Sequence, residues 1–389
     1  MRDEGVVQQS RGRIAELDGL RGMAALCVVL HHFLCAFLPR LTGELTPHPA
    51  RVADSPLSVL WNGRFSVSIF FVLSGFVIAA AAKKHAHPLY ANLILRWLRL
   101  AIPATASTLF AWTLLKAVPD AARRLSVIDP SNAWLTRVYQ NHIPGFMVAF
   151  LNGLLAVFIV GVSVFNNSLW TMRIEAAGSM GIFVLYAAPR KNRRALFLVL
   201  TVLLAVLHPD CLGFALGLFL MEAWEAGKLT RRVNPWLTLT LGILLGFPSQ
   251  GFAARLGLPQ MPGSLTLGNP DGVFPPIAAA LIVYSILNSP WMRRLLSGQI
   301  CQYFGRISFP LYLVHVPFIY TIVIALYLWG RERSLVTLPA LFVFYFASVV
   351  LLAHLGEALV DRPLLKWLHE VRASVAPKPT KQAQNMVAG

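Results

Sequence analysis

Glu16 to Phe33 reads ELDGLRGMAALCVVLHHF. It is an apolar run of membrane length, interrupted by Arg21 near its start and by His31 and His32 near its far end. Arg21 and His32 are eleven residues apart. At ~100° per residue, eleven steps make three turns plus about 20°, so a helix projects both side chains from one face, about 16 Å apart along its axis. Ionisable groups inside a membrane-length apolar segment are costly to keep and mark a functional site by default. Two of them on one face, at different depths, predict a shared cavity running through the bilayer rather than an isolated contact.

The rest of the composition agrees. The chain has 389 residues, 56% hydrophobic and 13% charged. Soluble domains carry about 25% charged residues, so the sequence predicts an integral membrane protein that buries its apolar surface in lipid. The formal net charge of +17 would suggest nucleic acid in a soluble protein. Here Arg and Lys fall in short clusters between apolar segments, the pattern of loops on the cytoplasmic side, and no nucleic-acid partner is expected. Cys27, Cys35, Cys211 and Cys301 sit in or beside apolar segments without ligand spacing, so neither a disulfide framework nor a metal site is predicted. The first fifteen residues are polar and the run after them is long enough to span, which predicts an uncleaved start.

Apolar runs of membrane length or nearly so lie at about 20–38, 64–82, 100–118, 144–165, 168–188, 195–208, 211–226, 235–248, 273–289, 307–329 and 335–357. Basic clusters lie at Arg11/Arg13, Lys83/Lys84 with Arg96/Arg99, Arg190 to Arg194, Lys228/Arg231/Arg232, Arg293/Arg294 and Lys366/Arg372. Arg123/Arg124 and Arg331/Arg333 run against that trend, partly balanced by Asp120, Asp129 and Glu332. If the main clusters share one side, an even number of spans separates each consecutive pair. Only the interval from Arg99 to Arg190 offers three runs. The 144–165 run is the one expected not to cross, because it opens with Pro144-Gly145, carries Asn152-Gly153 and ends in Asn166-Asn167; a re-entrant or outer-leaflet helix is tolerated when packed against protein. The expected fold is all-α: a polytopic membrane helix bundle of ten transmembrane helices plus that re-entrant or outer-leaflet helix, with eleven spans as the alternative. Residues 1–19 form a cytoplasmic N-terminal segment, 20–357 the membrane domain, and 358–389 a cytoplasmic C-terminal segment ending in a polar tail from about Ala376. Both termini are expected in the cytoplasm.

Four groups of residues carry chemistry. Arg21 is either a snorkelling arginine that reaches the interface or a binder of an anionic ligand. Arg96 and Arg99, three residues apart and so on one helix face, lie on the same side of the membrane. A guanidinium fork matches phosphate oxygens, and three of them round one inner mouth suit a polyphosphate. His32 is either a satisfied core histidine or a general base, since imidazole titrates near neutral pH. In Ser168 to Glu175, SLWTMRIE, Glu175 lies inside the apolar region and needs a partner; it either orients an imidazolium, binds hydroxyls, or pairs with an arginine. Trp170 is an interfacial belt residue or a stacking surface for a sugar ring. In Gly305 to Pro317, GRISFPLYLVHVP, two prolines with Tyr312 and His315 at i,i+3 mark a kinked span with polar groups facing inward.

These stretches, with FFVLSGFVI at 70–78, RWLRLAIP at 96–103 and VDRPLLKW at 360–367, resemble the acyltransferase-3 family of integral-membrane O-acyltransferases over nearly the whole chain. The resemblance implies transfer of an acetyl or other short acyl group from cytoplasmic acyl-CoA to a hydroxyl of a cell-surface glycan, a lipid-linked sugar or a small molecule. It implies acetyl-CoA or another acyl-CoA as donor, no permanently bound cofactor, and a place in the plasma membrane, the inner membrane in a bacterium. By position, Arg21 and His32 match the family's arginine–histidine pair, Arg96 and Arg99 its cytoplasmic arginine motif, and Glu175 its glutamate after the tryptophan. Catalytic roles are thus expected for His32, Glu175 and His315, donor binding for Arg21, Arg96 and Arg99, and acceptor contacts for Trp170 and Tyr312. Three departures bear on the acceptor: Ala176-Ala177-Gly178-Ser179 after the glutamate, Phe309-Pro310 before Leu311-Tyr312, and Asp361 where a glutamate is usual. The rival reading is a secondary transporter or lipid-linked-glycan flippase, which broken helices and intramembrane charges also suit.

Overall fold

The stretch that decides the reading folds as a 23-residue helix, Ala15–Phe37. At about 1.5 Å per residue it can cross the ~30 Å hydrocarbon layer of a bilayer. Glu16 and Asp18 occupy its first turn, where carboxylates suit the positive end of the helix dipole. It stops where Leu38, which precedes Pro39, leaves the helical region with φ −140° and ψ 54°.

The computed structural model describes residues 14–43, 49–84, 87–137, 142–229, 233–247, 270–333, 335 and 337–375. The basic residues Arg11, Arg13, Arg231 and Arg232 and the tail predicted from Ala376 lie outside the described residues. In chain order the helices that carry the argument are α1 (Ala15–Phe37), α2 (Gly63–Lys84), α3 (Leu89–Ala117), α4 (Ala121–Ile128), α5 (Phe146–Ile159), α6 (Thr171–Ala187), α7 (Arg193–Leu207), α8 (Leu212–Glu225), α9 (Pro235–Gly246), α10 (Pro270–Asn288), α11 (Pro290–Leu296), α12 (Gln299–Arg331) and α13 (Leu338–Ser374). No strand occurs among the described residues.

Five of these helices, α1, α2, α3, α12 and α13, are long and apolar enough to cross a membrane, and a sixth span results if Gly272–Asn288 and Pro290–Leu296, bent by 99°, count as one. The expected count of ten therefore reduces to five or six by length. Helices α6 to α9 have 17, 15, 14 and 12 residues, below the ~20 that a perpendicular span needs. Hydropathy reads an apolar stretch without seeing where helix ends fall; Asn234 caps α9 by accepting from the Trp236 amide, and Pro209 separates α7 from α8. Helix α5 spans Phe146–Ile159 and includes a π turn at Asn152–Ala156.

Helix α1 is the axis. Leu17, Leu20, Ala24 and Val28 belong to one buried cluster with α2, α6, α8 and α10; Ala25, Val29, Phe33 and Ala36 belong to a second with α12 and α13. The first set repeats at three and four residues, as one helix face requires, and the second lies on the opposite side. Lipid supplies no hydrophobic drive between helices, so close backbone packing has to hold them. A Cβ on Gly22 would sit 2.5 Å from the Gly305 nitrogen, and one on Gly305 would sit 2.4 Å from the Asp18 carbonyl oxygen. Only glycines allow α1 and α12 to touch there. Gly75 and Gly217 do the same for α2 and α8, which accounts for both by packing.

Candidate active site

The polar backbone of the site begins at a proline. Pro317 has no N–H, so the Leu313 carbonyl four residues back loses its helical donor. Ser107 Oγ from α3 and Asn166 Nδ2 each donate to it at 2.8 Å. Asn166 also accepts from the Ser168 amide and hydroxyl, and Tyr312 Oη donates to the Ser168 carbonyl at 2.7 Å while lying 3.1 Å from Thr171 Oγ1. The motif SLWTMRIE is thereby pinned to the motif FPLYLVHVP, and the pinning fixes where α6 starts.

One turn beyond Tyr312, His315 is wholly buried and meets His32 of α1. His315 Nε2 lies 2.9 Å from His32 Nδ1. Each Nδ1 also faces a carbonyl of its own helix at 3.1 Å, Val28 for His32 and Leu311 for His315. A carbonyl oxygen only accepts, so both Nδ1 atoms carry the hydrogen. His315 Nε2 is then an acceptor, the His32 Nδ1–H is shared between it and Val28, and the lone pair of His32 is left on Nε2. That tautomer is the one a general base needs. The Trp134 ring lies 5.8 Å from His32 and stacks on Tyr320 at 4.4 Å. His31 points elsewhere, its Nδ1 2.9 Å from the Trp61 carbonyl oxygen.

A cavity of about 860 Å³ opens at the other end of α1. Arg21, Lys84, Arg96, Arg99 and Arg306 line it, together with Asp18, Glu175, Glu357 and Asp361. Its inner walls are apolar, from Phe70, Phe71, Phe76 and Ile78, and its deep end is Val67, Thr171 and Tyr312. The three arginines expected at an inner mouth are all here, and all are held by carboxylates. Arg21 Nη1 lies 3.2 Å from Asp18 Oδ1. Arg96 Nε donates to Ser179 Oγ at 2.8 Å and its Nη2 to Glu175. Arg99 forks onto both oxygens of Asp361, with Nη2 to Oδ2 at 3.2 Å, and its guanidinium stands 5.2 Å from the Phe309 ring centroid. Arg306 makes no ion pair among the described residues; it lies over the Tyr303 ring at 5.5 Å.

The structure thus gathers Arg21, Arg96, Arg99, Glu175 and Tyr312 in one cavity and joins His32 to His315 beyond its deep end. Glu175 takes the arginine partner and makes no contact with either histidine among the described residues. Arg21 and His32 do not line one continuous cavity: α12 crosses α1 at Gly22 and Gly305, and the Tyr312 ring, 5.7 Å from His315 and 6.1 Å from Phe70, fills the space between. Trp170 stays outside the cavity lining and packs 5.8 Å from His208. The sequence reading assigned no role to Arg306, Lys84 or Asp361. A signal existed for the α12 face, because Gly305, Phe309 and Tyr312 repeat at four and three residues.

The model of a family described as an acyltransferase domain matches residues 14–356. The O-acetyltransferase PaAT-1 of Phomopsis amygdali is 26% identical over an alignment covering 94% of this chain and 86% of its own length. The acyltransferase R4 of Phoma sp. (strain ATCC 20986 / MF5453) is also 26% identical, over 53% of this chain and 52% of its own. No solved structure matches. With the family model covering nearly the whole of the helix bundle, the chain belongs to the acyltransferase-3 family of integral-membrane O-acyltransferases and is an acyltransferase.

Proposed function

We propose that the protein moves an acetyl or other short acyl group from acyl-CoA, entering the cavity from the cytoplasm, to a hydroxyl of a cell-surface or lipid-linked glycan presented at the His32 end. One observation supports the reading: a cation-rimmed cavity with an apolar interior ends at Tyr312, one helical turn short of His315, which holds His32 with its Nε2 lone pair free to take a proton. The volume lies toward the upper end of the ~300–1,000 Å³ usual for ligand sites, which gives room for an extended donor. Arg306 meets the phosphates first, and Arg21, Arg96 and Arg99 exchange or share their carboxylate partners as the donor seats. The acetyl group is favoured by the name of the Phomopsis relative.

In the reaction His32 Nε2 removes the hydroxyl proton as the oxygen attacks the thioester carbon. The carbon–oxygen bond forms, the carbon–sulfur bond breaks, and the thiolate takes the proton from the imidazolium. His315 holds the His32 ring and its tautomer. Tyr312 and Phe70 have to swing aside for the thioester to reach His32. The topology that fits has ten crossings, the bilayer thinning locally around the shorter helices, α5 re-entrant or in the outer leaflet, and both termini on the Arg21 side. The cell membrane is the expected location, the inner membrane in a bacterium.

Purified protein incubated with labelled acetyl-CoA and candidate acceptors tests the reading. Label should appear on an acceptor hydroxyl in detergent, without an ion gradient. A protein that moves glycan lipids across vesicles but transfers no label belongs to the transporter class instead.

A further inference from the structure

The two arginine pairs that break the positive-inside pattern, Arg123/Arg124 and Arg331/Arg333, lie 208 residues apart at Arg124 and Glu332, and the fold brings them together. Helix α4 and the end of α12 enclose an open cavity of about 510 Å³ at the His32 end. Arg123, Arg124, Arg331 and Glu332 line it, over a floor of Val127, Ile128 and Leu328. Val127 is 74% exposed and Ile128 48%. Trp329, half exposed under the Arg333 guanidinium at 4.8 Å, is the kind of aromatic that sits at headgroup level.

The charges do not cancel. Arg123 is held by Asp120 at 3.1 Å, and Glu332 lies 3.4 Å from Arg124 and 3.8 Å from Arg333. Arg331 has no ion pair among the described residues. Among the lining residues three arginines against one carboxylate leave two positive charges in excess. The existing pairs are exposed and therefore weak, so a better anion can displace them. A guanidinium fork selects phosphate, and basic pockets at the ends of membrane helices hold lipid headgroups. An apolar floor beside the fork suits a ligand with a tail.

We infer that this cavity is a binding site for a membrane-anchored phosphate. The phosphate sits between Arg124 and Arg331, and its hydrocarbon tail runs along Val127 and Ile128. The site lies near the histidine pair, because α4 packs on the segment carrying Trp134, whose ring lies 5.8 Å from that of His32. Two sources share this chemistry, an anionic phospholipid and a polyprenyl phosphate bearing a sugar. The inference stands on the cavity and not on acyl transfer, so each can fail without the other.

The test is native mass spectrometry of the delipidated full-length protein titrated separately with phosphatidylglycerol, a C55 polyprenyl phosphate, diacylglycerol and inorganic phosphate. The two phosphate-bearing lipids should bind at least about tenfold more tightly than diacylglycerol, which has the tail alone, and than inorganic phosphate, which has the anion alone. The Arg124→Gln/Arg331→Gln variant, altered only at exposed positions, should lose that preference. A tighter polyprenyl phosphate identifies a lipid-linked sugar as occupant, and a tighter phosphatidylglycerol identifies a boundary lipid. Equal binding of diacylglycerol and phosphatidylglycerol to the unaltered protein overturns the inference whatever the variant does, and so does unchanged lipid binding in a folded variant.

Discussion

The same two helices, α1 and α12, run through both ends of the site, and the ends differ in kind. At the Arg21 end five cations and four carboxylates surround an 860 Å³ cavity. At the His32 end two imidazoles meet, His32 lies beside Trp134, which stacks on Tyr320, and His315 has no exposed surface. The difference follows from the cost of burying charge. Full charges are tolerated inside a bundle only when paired and hydrated, so the end that handles phosphates stays open. Neutral imidazoles that satisfy one another need little water, so His315 is closed in and His32 keeps only partial exposure, which limits the access of water to an activated thioester.

The sharpest test of that division is at the histidines. His32→Ala should lower the transfer rate by ~10²–10⁴, the usual range for a lost general base, while the unfolding free energy in detergent falls by only about 1–3 kcal/mol, the cost of leaving the buried His315 Nε2 without its partner. His315→Ala should cost less, about tenfold, because His32 keeps its bond to Val28 and loses only one hydrogen bond. Equal losses at the two positions would mean that both imidazoles touch reacting atoms.

At the open end Arg96→Gln should destabilise the fold by about 3 kcal/mol, since it strands Glu175 without its partner. Adding Glu175→Gln should restore most of the unfolding midpoint. The informative readout is KM for the acyl donor in the double variant: it stays raised if Arg96 also holds the donor, and returns with stability if the pair is only a brace. Between the ends, Gly305→Ala pushes a methyl against the Asp18 carbonyl and should cost ~1–3 kcal/mol. Transfer should fall further than stability, because the same displacement lengthens the His32–His315 contact.

Sequence reached the open end more completely than the closed one. Arg21, Arg96, Arg99, Glu175 and Tyr312 stand out because charge or hydroxyl inside an apolar run is expensive wherever it lies. Their partners do not stand out: Arg99 meets Asp361 across 262 residues, and His32 meets His315 across 283. The first joins α3 to α13, and the second depends on the crossing of α1 and α12, which two glycines set by what they lack. Arg306 was passed over because it stands just before the apolar run 307–329, where an arginine reads as an ordinary basic flank. The length of each helix was not legible for a related reason, since α6 to α9 are apolar runs that end early at caps and prolines. The placement of Asn166 on the Leu313 carbonyl could not be read either, although Pro317 announces that some donor has to be there.

The smallest effect should come from the residue between the two ends. Tyr312 presents a ring that closes the cavity and a hydroxyl that donates to the Ser168 carbonyl. Tyr312→Phe removes only the hydroxyl. The Ser168 carbonyl loses this buried donor, so the unfolding free energy should fall by about 1 kcal/mol, and transfer should change by no more than a few-fold. The ring still plugs the passage, so hydrolysis of acyl-CoA in the absence of acceptor should stay at the level of the unaltered protein. A rise in that hydrolysis would mean that the hydrogen bond to Ser168, rather than the bulk of the ring, keeps the two ends apart, and the separation would then rest on the pinning of α6 to α12.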